Sequence, residues 1–150
     1  MGRGFGVLLT IALLLLVPQG MEAQQRGDQE MREAPAEGFR LLQNYPNPFR
    51  NETRIPFELY EGAFPDGRPA NVTMRIFNLL RVYVASPTAL NHPAGDGASV
   101  VDLEYGIPGR HEAYWDGRDR SGAPVASALY ILEITVNGRS QVIRMWVGGA

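Results

Sequence analysis

Apolar and polar residues alternate along several short segments of this chain, which is the pattern of strands with one buried face. Residues 54–59 show it clearly, because Ile55, Phe57 and Leu59 fall on one side of an extended chain. The same alternation predicts further strands at residues 72–76, 82–85, 100–105, 112–115, 130–136 and 141–147. The apolar residues expected to face the core there are Val72, Met74, Ile76, Tyr130, Leu132, Ile134, Val136, Ile143, Met145 and Val147.

Turn-forming residues separate these segments. Asn137-Gly138 lies between the last two strands and suits the two positive-φ positions of a tight type I′ hairpin. Residues 86–99 are rich in proline, glycine and polar side chains and are predicted to form a surface loop, and residues 106–109 a turn. Pro56 has no backbone donor, so its strand is expected at a sheet edge, or with this position facing away from a neighbour.

Short strands separated by turns are typical of an all-β protein. No segment beyond the N-terminal region has a helical period. We therefore expect an immunoglobulin-like antiparallel β-sandwich of about seven strands.

The first residues have the order of a secretory signal peptide. Arg3 precedes an apolar stretch at residues 7–17, which is too short to span a bilayer. Residues 1–23 are therefore predicted to be a signal peptide, with a retained N-terminal anchor as the alternative. Residues 24–38 have few large apolar side chains and are expected to be a disordered tether. The folded domain is predicted to cover residues 39–147 of an exported protein that is not integral to a membrane after signal-peptide removal.

Composition and charge exclude several classes of function. The 150 residues include no cysteine, so disulfides, thiolate metal centres and a cysteine nucleophile are excluded. The 14 basic residues are all arginine, which excludes the lysine of Schiff-base and P-loop chemistry. The formal net charge of −2 provides no broad cationic surface, so nucleic acid is not an expected partner.

Two segments of the chain have a distinctive composition. The first consists of Asn44, Tyr45, Pro46, Asn47, Pro48 and Phe49. Its prolines restrict the backbone, so a stiff, polyproline-like corner that holds Tyr45 and Phe49 in fixed places is predicted. The second consists of Trp115, Asp116, Gly117, Arg118, Asp119, Arg120, Ser121 and Gly122, with Tyr130 on the following strand. A core tryptophan, an Asp-Gly turn and a tyrosine-bearing strand are expected to follow one another there.

Together these segments resemble the C-terminal sorting domain (type A) of the type IX secretion system, whose fold is similar to the immunoglobulin-like domain of the flagellar hook-capping protein. The resemblance covers about residues 39–147. The structural or recognition positions that it indicates are Asn44, Tyr45, Pro46, Asn47, Pro48, Phe49, Trp115, Asp116, Gly117, Asp119, Gly122, Tyr130 and Met145. Residues 72–80 resemble the family's middle strand, but Arg81 stands where the family usually has glycine, so a turn of different shape is expected.

The resemblance implies a non-enzymatic module that is recognised by outer-membrane export or surface-attachment proteins. Its expected location is the periplasm, the outer-membrane surface or the extracellular space. Recognition would use an exposed edge strand or a loop. The alternative, from another class, is a freestanding immunoglobulin-like binding or structural module of a surface assembly.

One turn could hold a cation. Asp116, Asp119 and Ser121 place oxygens close together and could contribute to a Ca²⁺ site. Three side-chain oxygens are too few, so an Asx-type turn at Asp116 with a solvated Asp119 is the preferred interpretation. No metal is therefore expected.

Other candidate chemistry is weaker still. His92 and His111 could join a carboxylate in a zinc site, and Ser99 or Ser127 could pair with His111 in a hydrolase, but no nucleophile-elbow motif is present. We expect no catalytic site, no cofactor and no small-molecule substrate. Aromatic residues that could form a ligand face, cover an edge or contact a neighbouring domain are Tyr60, Phe64, Phe77, Tyr83 and Trp146.

Overall fold

The computed structural model describes residues 34–148. The predicted signal peptide at residues 1–23 and most of the predicted tether lie outside these residues, so both stay predictions. The strands in chain order are β1 (Phe39–Leu41), β2 (Thr53–Leu59), β3 (Ala70–Phe77), β4 (Tyr83–Ala85), β5 (Thr88–Leu90), β6 (Leu103–Tyr105), β7 (Gly109–Trp115), β8 (Leu129–Val136) and β9 (Arg139–Trp146). Two short 3₁₀ turns, Glu61–Ala63 and Pro65–Gly67, follow β2. No helix in this described part is long and apolar enough to cross a membrane.

Two antiparallel sheets form a β-sandwich. The first has the order β1-β2-β7-β5, and the pairing of β2 with β7 runs from Thr53 opposite Trp115 to Leu59 opposite Gly109. The second has the order β4-β3-β8-β9. β6 lies on the same side of β3 as β4 does, but it pairs with the other end of β3. The expected all-β antiparallel sandwich is confirmed, with nine strands in the described residues rather than about seven.

The core lies between the sheets and includes the predicted inward positions. Ile55 and Phe57 of the first sheet are fully buried, and so are Met74 and Leu132 of the second. Of the predicted inward set only Ile143 is partly exposed, and it packs against the core. One face of each long strand is therefore shielded from water, which accounts for the alternation in the sequence.

The predicted surface loop at residues 86–99 is wrong in part, because it contains β5. Ala89 is fully buried there and pairs with Ala113 of β7. The predicted strand at residues 100–105 is shorter than expected, since Asp102 adopts a left-handed φ of 50° and β6 begins only after it. The predicted turn at residues 106–109 ends one residue early, because β7 begins at Gly109.

Pro56 does not lie in an edge strand, since β2 has neighbours on both sides. The Pro56 carbonyl accepts a hydrogen bond from the Leu42 N–H at 3.0 Å. The nitrogen and carbonyl of one residue point to the same side of an antiparallel strand, so the proline nitrogen faces Leu42, just beyond the end of β1. The ladder to β7 therefore loses no donor.

Positive φ angles occur in both turns whose shape was predicted from the sequence. Asn137 and Gly138 have φ angles of 49° and 85°, which confirms the type I′ hairpin between β8 and β9. Arg81, in the turn between β3 and β4, has a φ of 62°. Arginine therefore occupies a backbone conformation that favours glycine.

Candidate functional site

The two distinctive segments meet at one end of the sandwich. The Phe49 ring lies edge-on to the Trp115 ring, with centroids 5.4 Å apart, and the Trp115 ring lies edge-on to the Tyr130 ring at 5.7 Å. All three side chains are buried. Edge-to-face aromatic pairs add about 0.5–1.5 kcal/mol each to the burial of their area. The sequence predicted the importance of each segment, and their contact is a finding of the structure.

Residues 44–49, which we call the clamp segment, are fixed internally by Asn44. Its buried amide nitrogen donates to Thr53 Oγ1 at 2.9 Å and to the Pro46 carbonyl at 3.2 Å. Thr53 Oγ1 in turn donates to the same carbonyl. Both X–Pro bonds of the clamp segment are cis.

The clamp segment holds the end of the last strand. Asn47 Oδ1 accepts from the Trp146 N–H at 2.8 Å, and the Phe49 N–H donates to the Trp146 carbonyl at 3.0 Å. The Gly148 N–H donates to the Phe49 carbonyl at 2.7 Å. The end of β9 is thus bonded to β8 on one side and to the clamp segment on the other.

Side-chain amides cover the neighbouring sheet edges. The Gln141 amide accepts from the Leu41 N–H at 2.8 Å and donates to the Phe39 carbonyl at 3.0 Å, so it occupies the place of a peptide unit beside β1. Gln43 donates to the Arg144 carbonyl on β9 at 2.9 Å. Sequence reasoning missed both glutamines, because a polar residue in an alternating strand indicates only a solvent-facing position.

Residues 115–122, which we call the Trp115 turn, require glycine at position 117. Gly117 has a φ of 68°, and a Cβ there would lie 3.3 Å from the Asn51 carbonyl oxygen and 3.4 Å from the Phe49 ring. The Trp115 indole N–H donates to the Arg118 carbonyl at 2.9 Å, which satisfies the only polar atom of this buried side chain. The turn and the clamp segment are therefore in close contact.

The other positions that the resemblance indicates lie in different environments. Met145 is fully buried opposite Tyr130. Tyr45 is 44% exposed, so it does not enter the core, and its hydroxyl donates to Glu112. This hydrogen bond, to a carboxylate, is the main reason that the pKa of Tyr45 is raised. Gly122 adopts a φ of 86° in an exposed turn.

The two aspartates of the Trp115 turn organise the backbone. Asp116 Oδ1 accepts from the Arg118 N–H at 3.0 Å, as the Asx-turn interpretation predicted. Asp119 is not simply solvated: its Oδ1 accepts from the Ser121 hydroxyl and from the N–H groups of Ser121 and Ala123. These bonds, the Ser121 hydroxyl first, lower the pKa of Asp119.

Calcium is expected to leave the thermal stability of the protein unchanged. The Asp119 oxygen that would bind the ion already accepts three hydrogen bonds, and Asp116 uses one of its own, so too few free ligands remain for a site of six or more oxygens. The melting temperature should be measured with and without millimolar Ca²⁺. A rise of several degrees would contradict this interpretation, since ligand binding to the folded state raises stability.

Both histidines lie in one cleft, on either side of Tyr105. The His92 and His111 rings lie edge-on to the Tyr105 ring, at 4.6 and 4.8 Å. His92 contacts the Glu104 carbonyl and the Ala94 N–H through its two ring nitrogens. The Tyr105 hydroxyl is buried without a partner among residues 34–148, and burial raises its pKa to about 12.

Although both histidines line one cleft, no hydrogen bond in residues 34–148 joins His111 to Ser99 or Ser127, the serines considered for a hydrolase. His111 bonds the Ile107 carbonyl through Nε2, and the Ser127 hydroxyl donates to the Gly148 carbonyl. Ser99 forms a backbone bridge with Thr88. In the described residues no group of three or more His, Asp or Glu side chains could hold a metal ion.

The protein is expected to lose stability when the pH falls below about 6.5, because of His111. Burial, first, and the neighbouring His92 lower the pKa of His111 in the folded protein below 6.5, although the Ile107 carbonyl opposes this. The unfolded chain therefore binds a proton more readily, so stability is full above the ordinary histidine pKa and is lost as the pH falls toward and through the folded value.

Urea unfolding at pH 7.5 and pH 5.5 tests this expectation. The difference between the two free energies of unfolding should shrink in His111→Gln. His92→Gln, which keeps the His111 imidazole in its cleft, is the matched control and should retain most of the difference. An equal response of both variants would show that His111 is not its source.

The candidate aromatic ligand face is dispersed. Trp146 is 52% exposed on the outer side of β9, as the alternation predicted, whereas Phe64 packs against the core. The Tyr60 hydroxyl donates to Glu58. Phe77 and Tyr83 contact each other edge-on at 6.3 Å beside the turn between β3 and β4.

Comparison with known proteins supports the fold. No protein-family model matches the sequence, and no curated protein matches it significantly. The structure is similar to the crystal structure of dimeric latent PorU from Porphyromonas gingivalis, with a TM-score of 0.50 and 19% sequence identity. The match covers 75% of this chain and spans 9% of the PorU chain. At this identity the likeness concerns the fold of one small part of that protein.

Proposed function

We propose that this protein is a non-enzymatic, exported β-sandwich that outer-membrane export or surface-attachment proteins recognise, in the manner of a type IX sorting domain. The proposal rests on the resemblance of residues 39–147 and on the sandwich fold that these residues adopt. Export itself rests on the predicted signal peptide at residues 1–23. Recognition of a folded surface requires binding alone, without bond chemistry.

The contact between the clamp segment and the Trp115 turn is the observation that supports this proposal most. The two strings that carry the resemblance lie far apart in the sequence, yet Phe49 and Trp115 pack directly on each other and the clamp segment holds β9. Shared packing gives a physical reason for both strings to occur in one domain. Together these contacts fix the position of the end of β9 in the sandwich.

Coverage of the sheet edges favours recognition through turns and faces rather than by strand addition. The edges of β4 and β5 are also partly covered. In β4 the Val84 carbonyl accepts a hydrogen bond from the Arg120 N–H. In β5 the Ala89 N–H donates to the Ala98 carbonyl, and the Ala89 carbonyl accepts from the Gly97 N–H. Strand addition needs a row of free backbone groups, which these contacts interrupt. The edge-strand part of the sequence-based expectation is therefore not the mode we propose.

A reporter fusion tests the proposed function. Residues 24–150 should be fused behind a secreted reporter and expressed in a host that has type IX machinery. We expect the reporter at the cell surface or in the medium, and we expect it to stay in the periplasm when the domain is omitted or when the host lacks the machinery. Retention of the intact fusion in the periplasm would overturn the sorting proposal and leave the freestanding immunoglobulin-like module as the better account.

A further inference from the structure

The turn between β3 and β4 displays a cluster of apolar side chains to solvent. Leu79 is 61% exposed, Leu80 84% and Val82 55%. Single exposed apolar residues are common on protein surfaces, whereas three adjacent ones on one protruding turn are a candidate contact site. We call residues 78–82 the leucine turn.

The leucine turn is held in one conformation by Asn78. Asn78 Oδ1 accepts from the Leu80 and Val82 N–H groups at 2.9 and 3.0 Å. The Asn78 carbonyl accepts from the Arg81 N–H, and the Asn78 N–H donates to the Val82 carbonyl. Because the backbone is fixed before any contact is made, binding through this turn would cost little ordering entropy.

Two arginines and two aromatic rings form the base of the leucine turn. The Arg81 guanidinium lies 6.0 Å from the centre of the Phe77 ring, and the Arg120 guanidinium lies 5.5 Å from that of Tyr83. In residues 34–148 the ion pairs are Arg54 with Glu112 and Arg68 with Asp66, so neither Arg81 nor Arg120 has an acidic partner. The base carries two guanidinium groups and, next to Arg120, the Asp119 carboxylate, so its charge is net positive in a chain whose net charge is −2.

We propose that the leucine turn and its base form the docking surface for a partner protein that offers an apolar pocket with an acidic rim. Leu79 and Leu80 would fill the pocket, and Arg81 and Arg120 would face the acidic rim. A desolvated apolar centre surrounded by a polar rim is the general anatomy of a protein interface. The inference deepens the proposed function and rests on it only for the identity of the partner as a component of the export machinery.

A lipid surface fits the leucine turn less well than a protein pocket. The side chains of Leu79, Leu80 and Val82 together offer about eleven carbons, fewer than a myristoyl chain, which alone gives only marginal membrane binding. A second copy of the chain also fits poorly. Symmetric contact through the turn would place the unpaired arginines of two copies near each other, and like charges disfavour such contact.

Photo-crosslinking from position 80 tests the docking surface. A photoreactive amino acid replaces Leu80 in the full-length chain, which is expressed in a host with type IX machinery. We expect one dominant adduct, whose contact peptide, identified by mass spectrometry, contains acidic and apolar residues. The same probe at Ile107, which is 68% exposed on another loop, is the control and should not form this adduct.

Charge reversal tests the rim. Arg81→Glu and Arg120→Glu, each made in the crosslinking chain, should lower the adduct yield at least tenfold, whereas Arg110→Glu, at an exposed position away from the leucine turn, should not. Urea unfolding of each variant verifies that the fold is retained. Loss of the adduct in one well-folded reversal variant suffices as support, so a folding defect in the other does not matter.

Four results would overturn the docking proposal: no adduct at position 80, an adduct insensitive to charge reversal, an adduct of twice the mass of this chain, or flotation of the protein with phosphatidylglycerol vesicles that Leu80→Ser abolishes. Failure of docking and failure of the proposed function are distinguishable. A reporter exported equally with Leu79→Ser and Leu80→Ser combined would disprove a component of the export machinery as the docking partner and leave the sorting function intact. A reporter retained in the periplasm, together with the expected adduct, would disprove the sorting function alone.

Discussion

Replacing Phe49 with alanine is expected to lower the free energy of unfolding by about 3–5 kcal/mol, the usual cost of removing a buried aromatic side chain. Phe49 is 2% exposed and packs edge-on against Trp115, so its removal leaves a cavity where the clamp segment meets the Trp115 turn. Urea denaturation measures the change. Amide exchange should also become faster at Val147 and Gly148, because the clamp segment that holds this end of the chain loses its anchor.

Trp146→Ala is the matched control for this experiment. Trp146 lies at the end of β9 that the clamp segment holds. Its side chain is half-exposed, however, and only its backbone is bonded to the clamp segment. Its replacement should cost less than about 1 kcal/mol, as at most surface positions. Equal destabilisation by the two variants would contradict the anchoring role of Phe49.

Gly38→Ala is expected to destabilise the protein by about 2–5 kcal/mol. Gly38 has a φ of 80°, which costs a residue with a Cβ roughly 1–2 kcal/mol. A Cβ would also lie 2.7 Å from the Ala63 nitrogen and from the Gly62 carbonyl carbon, both backbone atoms that cannot rotate away. Overpacking of this kind costs about 1–3 kcal/mol more. The measurement is again the urea midpoint and slope.

Gly67→Ala separates the two causes. Gly67 has a similar φ of 70°, but a Cβ there would meet nothing within 4 Å. This variant should therefore show only the backbone term of roughly 1–2 kcal/mol. If both glycine variants unfolded at the same urea concentration, the close approach of Gly38 to the 3₁₀ turn at Glu61–Ala63 would make no contribution to the loss of stability.

The fold was predictable where a strand buries one face along several residues. The strand that contains Tyr130 to Val136 alternates between buried and partly exposed side chains as predicted, and the hairpin at Asn137-Gly138 is confirmed. β5 was missed because Thr88 to Leu90 lies among turn-forming residues and is stabilised by pairing with β7, a contact distant in sequence. Local patterns do not contain such long-range pairing.

The site was predictable only in its parts. Phe49 and Trp115 each stood out by composition, but no spacing rule indicates that two side chains so far apart in sequence would meet. The edge-covering amides of Gln43 and Gln141 left no local trace either. The exposure of the leucine turn does have a local signal in the sequence. Apolar residues at positions 79 and 80 follow Asn78 at the end of a strand, where burial of both is geometrically difficult.

The placement of β9 has a mechanical consequence. The chain enters the sandwich beside Gln141, near the start of β9, and leaves it past Trp146 at the opposite end of that strand. Tension applied between residues 37 and 147 would thus run along β9, at right angles to its ladder of eight residue pairs with β8. Hydrogen bonds loaded in shear in this way break together rather than one by one. This geometry therefore resists mechanical unfolding.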